Sequence, residues 1–384
     1  MTGATGFIGK YLVDELLGED HRVWIIVRKK STQKLSEFFP FYEDKYKDRF
    51  KVLSGNVTKK NLNFSKENIK ILSKHTINLW HLAANLSFSI DDEDIVFNTN
   101  IIGTKHVVDF ANRFGKKLYF MSTAYVCGNK KYFLEDELEK GQKHRNTYET
   151  SKYEAEKVVR NKSNIPFVII RPSIVIGNAY KGKALGCTFG YYRYTHLFYF
   201  LKSRIILALK KGGIISTTLK ILGTNYSNHT GTLSIPWFIM PYPTNAPIDL
   251  IPVDYLVSAI IDIFKRHDVD NKTFHLTNPQ PPQYIFLLKS LNQDLGIVDL
   301  KYIGLPKWLF NMIFKALYFF VPSFKKYTRS IQWYLPYITY TNIFDRSSTN
   351  RYTSSIFPRM DRVYIRQINE FARREIYDKI RMSE

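Results

Sequence analysis

The chain has 384 residues, 45% of them hydrophobic and 23% charged, which is enough apolar material for a large core and excludes an intrinsically disordered protein. Its length favours one large domain with a smaller one beside it. The formal net charge of +22 is compatible with binding to nucleic acid, to an anionic membrane or to a phosphorylated ligand, and a compositional bias would also explain it. No nucleic-acid-binding motif is present in the sequence, so we exclude nucleic-acid binding.

The first 178 residues alternate short apolar runs with amphipathic segments, which predicts a parallel sheet covered by helices on both faces. The apolar spacing predicts helices at 9–17 and 95–114. Strands are predicted at 23–27, 50–53, 78–82, 118–122 and 167–170. The predicted fold class is α/β, with a doubly wound (Rossmann) parallel sheet.

After residue 178 this alternation fades. A long aromatic and basic stretch at 191–211 is followed by a proline-rich segment at 236–252. We therefore predict a Rossmann domain at 1–178 and a smaller substrate-binding cap region at 179–384, with 250–280 returning to the Rossmann core.

The N-terminal turn carries glycines at intervals of three and leads into an amphipathic helix, as in a dinucleotide-binding turn. Gly3 would allow the tight turn, Gly6 the approach of a pyrophosphate, and Gly9 the close packing of helix on strand. A purely structural glycine turn is the alternative. The residues assigned to the cofactor here are Thr2, Gly3, Thr5, Gly6, Phe7, Ile8 and Gly9.

The turn follows Met1 directly, so the first strand is almost absent from the sequence. That strand is central in a doubly wound sheet, and its loss would leave neighbouring backbone groups unpaired. We therefore expect the natural start to lie several codons upstream.

The predicted strand at 23–27 ends in Arg28, Lys29 and Lys30, where an NAD-specific site usually offers a carboxylate to the ribose 2′-hydroxyl. Three cations suit a 2′-phosphate instead, so we predict NADP(H), with Arg28 as its contact. A solvated basic loop is the alternative for Lys29 and Lys30.

Small residues after the predicted strand at 78–82 fit the same cofactor pocket. Ala83 and Ala84 would let a dinucleotide lie against the strand ends, and Asn100 lies on the following helix. His81 is predicted to be a packed strand-end histidine rather than an acid or base.

The strongest chemical signal joins a strand end to a helix start. Tyr148 and Lys152 are four residues apart and share one helical face. A tyrosine hydroxyl, with an ordinary pKa of about 10, is a poor acid near neutrality, and a nearby ammonium would lower its pKa. The Thr123 hydroxyl would hydrogen-bond the reacting carbonyl oxygen. We predict Thr123, Tyr148 and Lys152 as the catalytic group, with Tyr148 and Lys152 also touching the cofactor.

Residues 1 to about 178 resemble the extended short-chain dehydrogenase/reductase family, which pairs a TGxxGxxG turn with a Ser/Thr, Tyr and Lys group. The resemblance implies that Thr123, not Ser122, is catalytic. Arg171, Pro172 and Ser173 are similar to the segment that lines the nicotinamide side of the pocket in that family. Asn56 stands where an adenine-contacting Asp is common.

Within this family the chain resembles fatty acyl-CoA reductases and the thioester reductase domains of carrier-protein systems. Three short segments carry this resemblance: an HxAAxxxF pattern at 81–88, IPVD at 251–254, and FD followed by NR at 344–351. The resemblance implies NADPH-dependent reduction of a long-chain acyl thioester, on CoA or an acyl carrier protein, to aldehyde or alcohol.

Two alternatives remain open. One is a sterol or alcohol dehydrogenase, or a nucleotide-sugar epimerase or reductase, with the same catalytic group. The other is a dinucleotide-binding regulator without catalysis, although such a protein would be expected to lose Tyr148 or Lys152. No metal ligand set is apparent, and an oligomer is compatible with the sequence.

The surroundings of the protein are predicted from its cysteines and from one apolar stretch. Cys127 and Cys187 are too few for a disulfide framework and no apolar leader precedes the turn, so we expect a cytoplasmic protein. Prolines frame an apolar helix at 305–324 with one polar stripe, which makes a membrane span unexpected. This helix either packs against the core or a partner subunit, or lies on a membrane with cations up to residue 329 at the headgroups.

Overall fold

The computed structural model describes residues 1–31, 35–37, 39–75, 77–179, 182–184, 187, 189–236, 238–242, 246–306, 308–313 and 333–377. The strands are β1 (Val23–Val27), β2 (Phe50–Ser54), β3 (Ile77–His81), β4 (Gly115–Met121), β5 (Tyr132–Phe133), β6 (Phe167–Pro172), β7 (Ile174–Ile176), β8 (Asn225–Tyr226), β9 (Leu233–Ser234), β10 (Phe238–Tyr242), β11 (Leu250–Pro252), β12 (Lys272–Leu276), β13 (Ile297–Val298), β14 (Tyr302–Pro306) and β15 (Ile343–Phe344). The helices are α1 (Phe7–Gly18), α2 (Tyr42–Tyr46), α3 (Lys66–Leu72), α4 (Glu93–Phe97), α5 (Gly103–Phe114), α6 (Thr147–Lys162), α7 (Tyr191–Lys211), α8 (Gly213–Ile221), α9 (Val253–Phe264), α10 (Tyr284–Asp294), α11 (Ser347–Tyr352) and α12 (Arg362–Ala372).

The main sheet is parallel, and its strands lie in the order β2, β1, β3, β4, β6, β12. Between β1 and β3, Thr2 forms single bridges to Ile26 and to His81, in the place of the central first strand. This is the strand order of a doubly wound sheet, so the predicted fold class is confirmed. Every strand predicted in this half is present, with ends that differ by at most three residues.

The sheet is buried on both faces because its strands alternate their side chains between two apolar clusters. In β6, Val168 and Ile170 face the cluster under α1 and α9, whereas Ile169 faces the cluster under α5 and α6. Strands covered on both faces read as continuous apolar runs, which explains the sequence of β6.

The second half of the chain adds a separate apolar cluster formed mainly by α7, α10 and α12. The aromatic stretch at 191–211 is the single helix α7. Strand β12, in the segment predicted to return to the Rossmann core, pairs with β6 at the edge of the main sheet. The division at residue 178 stays a prediction.

The C-terminal part of the chain returns to the catalytic half through β15, which pairs with β5 in parallel. Glu135, just after β5, accepts hydrogen bonds from the backbone N–H groups of Ser348 and Thr349 at the start of α11. A carboxylate at a helix N-terminus satisfies donors that have no partner within the helix. This contact holds the C-terminal segment against the main sheet.

The apolar stretch at 305–324 differs from its prediction where it is described. Leu305 and Pro306 end β14, which pairs with β10 through Pro306, and the described residues from 308 are helical. Residues 314–324 lie outside the described residues. Among the residues that are described, no helix is both long enough and apolar enough to cross a membrane.

Candidate active site

The N-terminal turn packs against the end of β3 in a way that only glycine permits. Gly3 has a φ of +74°, and a Cβ atom there would lie 2.5 Å from the backbone nitrogen of Ala83. A Cβ atom on Gly9 would lie 2.2 Å from the carbonyl oxygen of Gly3. Close backbone packing alone therefore explains why glycine is required at positions 3 and 9.

The third glycine lies at the surface, where a Cβ atom would be 3.1 Å from the carbonyl oxygen of Gly3, and it begins a helix. Gly6 is exposed and is the N-cap residue of α1, with no side chain capping the first turn. Phe7 and Ile8, the first residues of α1, and Thr5 are partly buried. Free N–H groups at a helix N-terminus form a binding site for an anionic group, so this turn fits a pyrophosphate.

Thr2 and His81 belong to a buried network rather than to an open pocket. The Thr2 hydroxyl lies 2.8 Å from Nδ1 of His81, whose Nε2 lies 3.0 Å from the hydroxyl of Thr104. Burial, with a smaller effect of the Lys152 charge, lowers the pKa of His81 to about 3. His81 is therefore a neutral packed histidine, as predicted. Thr2 supports the turn through its side chain, which also accepts from the N–H of Ala83.

A basic cleft lies beyond the carboxyl ends of β1 and β2. It has a volume of about 370 Å³ and is lined by Arg28, Lys29, Ser54, Gly55, Asn56 and Asn63. Arg28 and Lys29 are exposed, whereas the Asn56 side chain accepts hydrogen bonds from the backbone and hydroxyl of Thr58. The two cations make this end of the site suited to a phosphate.

Thr123, Tyr148 and Lys152 come together where β4 ends beside the first turns of α6. Thr123 forms a side-chain hydrogen bond with Tyr148 and lies 3.4 Å from the carbonyl oxygen of Pro172. The Lys152 ammonium donates to the carbonyl oxygen of Met121 at 2.6 Å. The i to i+4 spacing of Tyr148 and Lys152 on α6 places both on the same side of the helix, facing this strand end.

The ionisation of this group differs in part from the prediction. Burial raises the pKa of Tyr148, and the Thr123 hydrogen bond lowers it only partly. The expected lowering by a neighbouring ammonium is not found, because burial of the phenol, with a smaller effect of the Glu149 charge, raises the pKa. Burial also lowers the pKa of Lys152 to about 7, against the opposite effect of Glu156.

Asn100 connects the loop after β3 to the catalytic helix. Its side chain donates to the carbonyl oxygen of Asn85 at 2.9 Å and to the hydroxyl of Ser151 at 2.8 Å, and it accepts from the N–H of Asn85. Asn100 lies in a π-helical turn, Asn98–Ile102, between α4 and α5. Such turns are frequent at functional sites. The side chain positions Ala83 and Ala84, which precede Asn85, and Lys152, which follows Ser151.

Arg171 does not have the position predicted for it. Its side chain is fully buried, and all its N–H groups bond to Glu156, to the ring of His275 and to backbone carbonyls after β5. No donor remains for a cofactor, so Arg171 is corrected to a structural residue. Pro172 and Ser173 follow it at the strand end, with the Pro172 carbonyl beside Thr123 and Ser173 next to Asp249.

An apolar pocket lies next to this group on the cap side. Its lining residues are Ile174, Gly190, Tyr191, Tyr194, Ile248, Leu250, Tyr284, Leu287, Tyr334, Tyr337 and Ile338. The ring of Phe88 connects it to the catalytic group: its centroid is 5.9 Å from that of Tyr148 and 5.9 Å from that of Tyr337. The cavity itself measures about 40 Å³, so an apolar chain longer than a few atoms requires its lining side chains to move apart.

Residues 1–260 match the sequence model of the NAD-binding male sterility protein family. The chain belongs to this family. Family membership agrees with the resemblance to extended short-chain dehydrogenases/reductases and implies a nicotinamide dinucleotide cofactor. The turn from Gly3 to Gly9, the open N-terminus of α1 and the basic cleft together fit such a molecule.

Two curated relatives of this chain are longer proteins. Fatty acyl-CoA reductase 1 of Mus musculus is 30% identical over 152 residues, which cover 35% of this chain and 29% of that protein. Nonribosomal peptide synthetase asaC of Aspergillus flavus is 23% identical over 333 residues, 80% of this chain and 29% of that protein. The chain spans less than a third of the length of these curated relatives.

A solved structure shares the fold along nearly the whole chain. The terminal R domain from the myxalamid PKS-NRPS biosynthetic pathway superposes with a TM-score of 0.72 at 22% identity, covering 98% of this chain and 90% of that domain. At this identity the likeness concerns the fold alone.

Sequence reasoning missed two parts of the site in this male sterility family member. Glu156 lies one helical turn after Lys152, and the spacing from Tyr148 to Lys152 to Glu156 could have revealed a third residue on that face. Tyr337, almost two hundred residues away, bonds Glu149 at 2.6 Å. No local pattern announces such a long-range contact.

Proposed function

We propose that this protein is an NADPH-dependent reductase of long-chain acyl thioesters, carried on CoA or an acyl carrier protein, which forms an aldehyde or an alcohol. The observation that carries the proposal is the apolar, aromatic pocket that Phe88 and Tyr337 connect to Tyr148. A long acyl chain would gain free energy against this apolar lining once the side chains move apart to admit it, whereas the polar rings of a nucleotide sugar would lose hydrogen bonds to water there.

The residues of the chain have distinct tasks in this reaction. A bound nicotinamide dinucleotide supplies the hydride for the thioester carbonyl carbon. Tyr148 and Thr123 donate hydrogen bonds to the carbonyl oxygen, and Tyr148 passes its proton to that oxygen as negative charge develops. The C–S bond of the resulting hemithioacetal then breaks, its hydroxyl proton passes to the departing sulfur, and a thiol and an aldehyde are released. Lys152 holds the nicotinamide ribose and keeps positive charge close to Tyr148.

The names of the relatives support a thioester substrate. One curated relative is named a fatty acyl-CoA reductase, and another is named a nonribosomal peptide synthetase. We extend to this chain the substrate class that the first of these names states. The sugar-nucleotide alternative has no comparable support from the pocket, because its rings are polar.

The test is a steady-state assay of NADPH oxidation, followed by absorbance, with acyl-CoA thioesters of graded chain length. We expect KM to fall as the chain lengthens, because more apolar surface enters the pocket. Sterol ketones and sugar nucleotides serve as matched controls in the same assay. Turnover of either control class without turnover of any thioester would contradict the proposal.

The basic cleft predicts the choice of cofactor. Replacing Arg28 with Asp should lower the ratio of kcat/KM for NADPH to kcat/KM for NADH by about a hundredfold, since a carboxylate repels the 2′-phosphate and accepts hydrogen bonds from a plain ribose. Arg22, an exposed cation just before the other end of β1, provides the control Arg22→Asp. An unchanged ratio of the two kcat/KM values in Arg28→Asp would show that the cleft does not bind the 2′-phosphate of NADPH.

The lowered pKa of Lys152 predicts a pH dependence of cofactor binding. At a pH below its pKa of about 7, Lys152 is an ammonium and donates charge-assisted hydrogen bonds to the ribose. At a higher pH, Lys152 is a neutral amine before the cofactor binds. The Kd for NADP⁺ should therefore rise between about pH 6 and about pH 9. Calorimetric titration of Lys152→Met should give weaker binding with a flatter pH profile. The same profile in both proteins would refute a ribose contact by Lys152.

A further inference from the structure

The end of the longest described helix forms an exposed hairpin. Helix α7 runs to Lys211, and α8 follows after Gly212, which has a φ of +76°. We call residues 207–222 the α7–α8 tip. Gly212 and Gly213 would contact nothing through an added Cβ atom, so the turn itself projects away from the protein.

Helix α8 in this tip turns a polar residue inward and apolar residues outward, which is the opposite of an ordinary amphipathic surface helix. Its polar Ser216 is only 2% exposed and donates to the carbonyl oxygen of Leu209. Ile214, Ile215 and Ile221 are 86%, 68% and 79% exposed. Positions i, i+1 and i+7 fall on one side of a helix, so these isoleucines form one outward apolar face. An apolar face turned away from its own core requires another apolar environment to cover it.

Positive charge surrounds this face. Arg204, Lys210, Lys211 and Lys220 are all exposed on α7 and α8. The sequence contains no Asp or Glu from residue 157 through residue 248, so no acidic residue of this long segment offsets them. Lys210 rests over the ring of Tyr226, which holds its ammonium close to the tip.

We propose that the α7–α8 tip docks the protein on an anionic lipid surface, with the isoleucines in the acyl boundary and the cations at the headgroups. A bilayer supplies both the apolar environment and the negative charge that the tip requires. A second copy of the chain would bring two clusters of cations together. A protein partner typically meets aromatic or arginine anchors, whereas this face is aliphatic. The inference rests on the surface alone and does not depend on the proposed reaction.

The test is co-sedimentation of the whole chain with vesicles of phosphatidylcholine alone, or of phosphatidylcholine mixed with phosphatidylserine. We expect binding to the mixed vesicles and little to phosphatidylcholine. The tip variant Ile214→Glu with Ile215→Glu should lower the partition coefficient by roughly a hundredfold, because two apolar anchors become anions facing an anionic surface. Lys210→Gln with Lys211→Gln should weaken binding to the mixed vesicles and leave binding to phosphatidylcholine unchanged.

The matched control is Ile356→Glu with Val363→Glu, since these apolar residues are 91% and 65% exposed elsewhere on the protein. Control and tip variants should unfold at the same temperature as the intact chain. Absence of vesicle binding, or equal loss in the control and the tip variant, would overturn the proposal. Two other results would also overturn the proposal. In the first, the tip variant has half the molar mass of the intact chain in light scattering. In the second, the tip variant no longer binds a purified acyl carrier protein but still binds vesicles.

Discussion

Replacing Tyr148 with phenylalanine is expected to lower kcat by roughly a thousandfold and to leave the Kd for NADPH within a few-fold of the original value. The change removes a single oxygen, the one that hydrogen-bonds Thr123 and would protonate the substrate oxygen. Because the phenol acts on charge that develops in the transition state, its loss affects turnover and not the ground-state affinity for the cofactor. Single-turnover kinetics with saturating NADPH and fluorescence titration of the cofactor measure the two quantities separately.

The matched control for this substitution is Tyr153→Phe, which removes the same atom from a partly buried residue on the same helix. The control should keep its full activity. If Tyr148→Phe retains comparable activity, the catalytic assignment fails. If it loses cofactor affinity as strongly as turnover, Tyr148 is a binding residue and the proton has another source.

Replacing Arg171 with methionine is expected to lower the free energy of unfolding by about 3–5 kcal/mol, since it leaves Glu156 as a buried carboxylate without its main partner. Both side chains of this ion pair are 0% exposed. Burial raises the pKa of Glu156, but Arg171 and then Arg160 outweigh it and keep the pKa below its ordinary value. Urea unfolding of the purified variant measures the loss.

Arg160 allows a matched comparison, because it bonds the same carboxylate from a site where it is 23% exposed. Arg160→Met should lower the free energy of unfolding by about 1 kcal/mol or less, since water can replace a partly exposed partner. An Arg171→Met variant of unchanged stability but with much weaker cofactor binding would contradict the structural role and restore the position that the sequence resemblance implied.

The stability lost in Arg171→Met should depend on pH in a definite direction. The folded pKa of Glu156 is lower than its ordinary value, so the ion pair stabilises the protein above the ordinary pKa of a glutamate and this contribution is lost as the pH falls through the lowered value. The difference in unfolding free energy between the two proteins should therefore shrink in acid.

The alternation of apolar runs was sufficient to predict the main sheet. Strands such as β1 and β6 are covered on both faces, so they consist of consecutive apolar residues that are visible in the sequence. The positions of Gly3, Tyr148 and Lys152 were also readable, since a turn and one helical face fix them through nearby residues. For Tyr148 and Lys152 the determining spacing is local in sequence, whereas the contact of Gly3 with Ala83 is long-range and only its glycine motif is local.

Arg171 shows where local reading failed. It follows a buried strand at a position that resembles a cofactor contact, and only the tertiary structure brings Glu156, His275 and the carbonyls after β5 around its guanidinium. A fully buried guanidinium must bond all its donors, so these distant partners and not the motif decide its direction.

The sequence by itself determined the α/β fold and the glycine turn, and it placed Tyr148 and Lys152 on one helical face, because these features follow from patterns of residues close together in the chain. Only the tertiary structure decided that the pKa of Tyr148 is raised, that Tyr337 joins the apolar pocket to Phe88, and that α8 turns its isoleucines outward. These properties depend on burial and on contacts between segments far apart in the chain, and neither is encoded in any short stretch of residues.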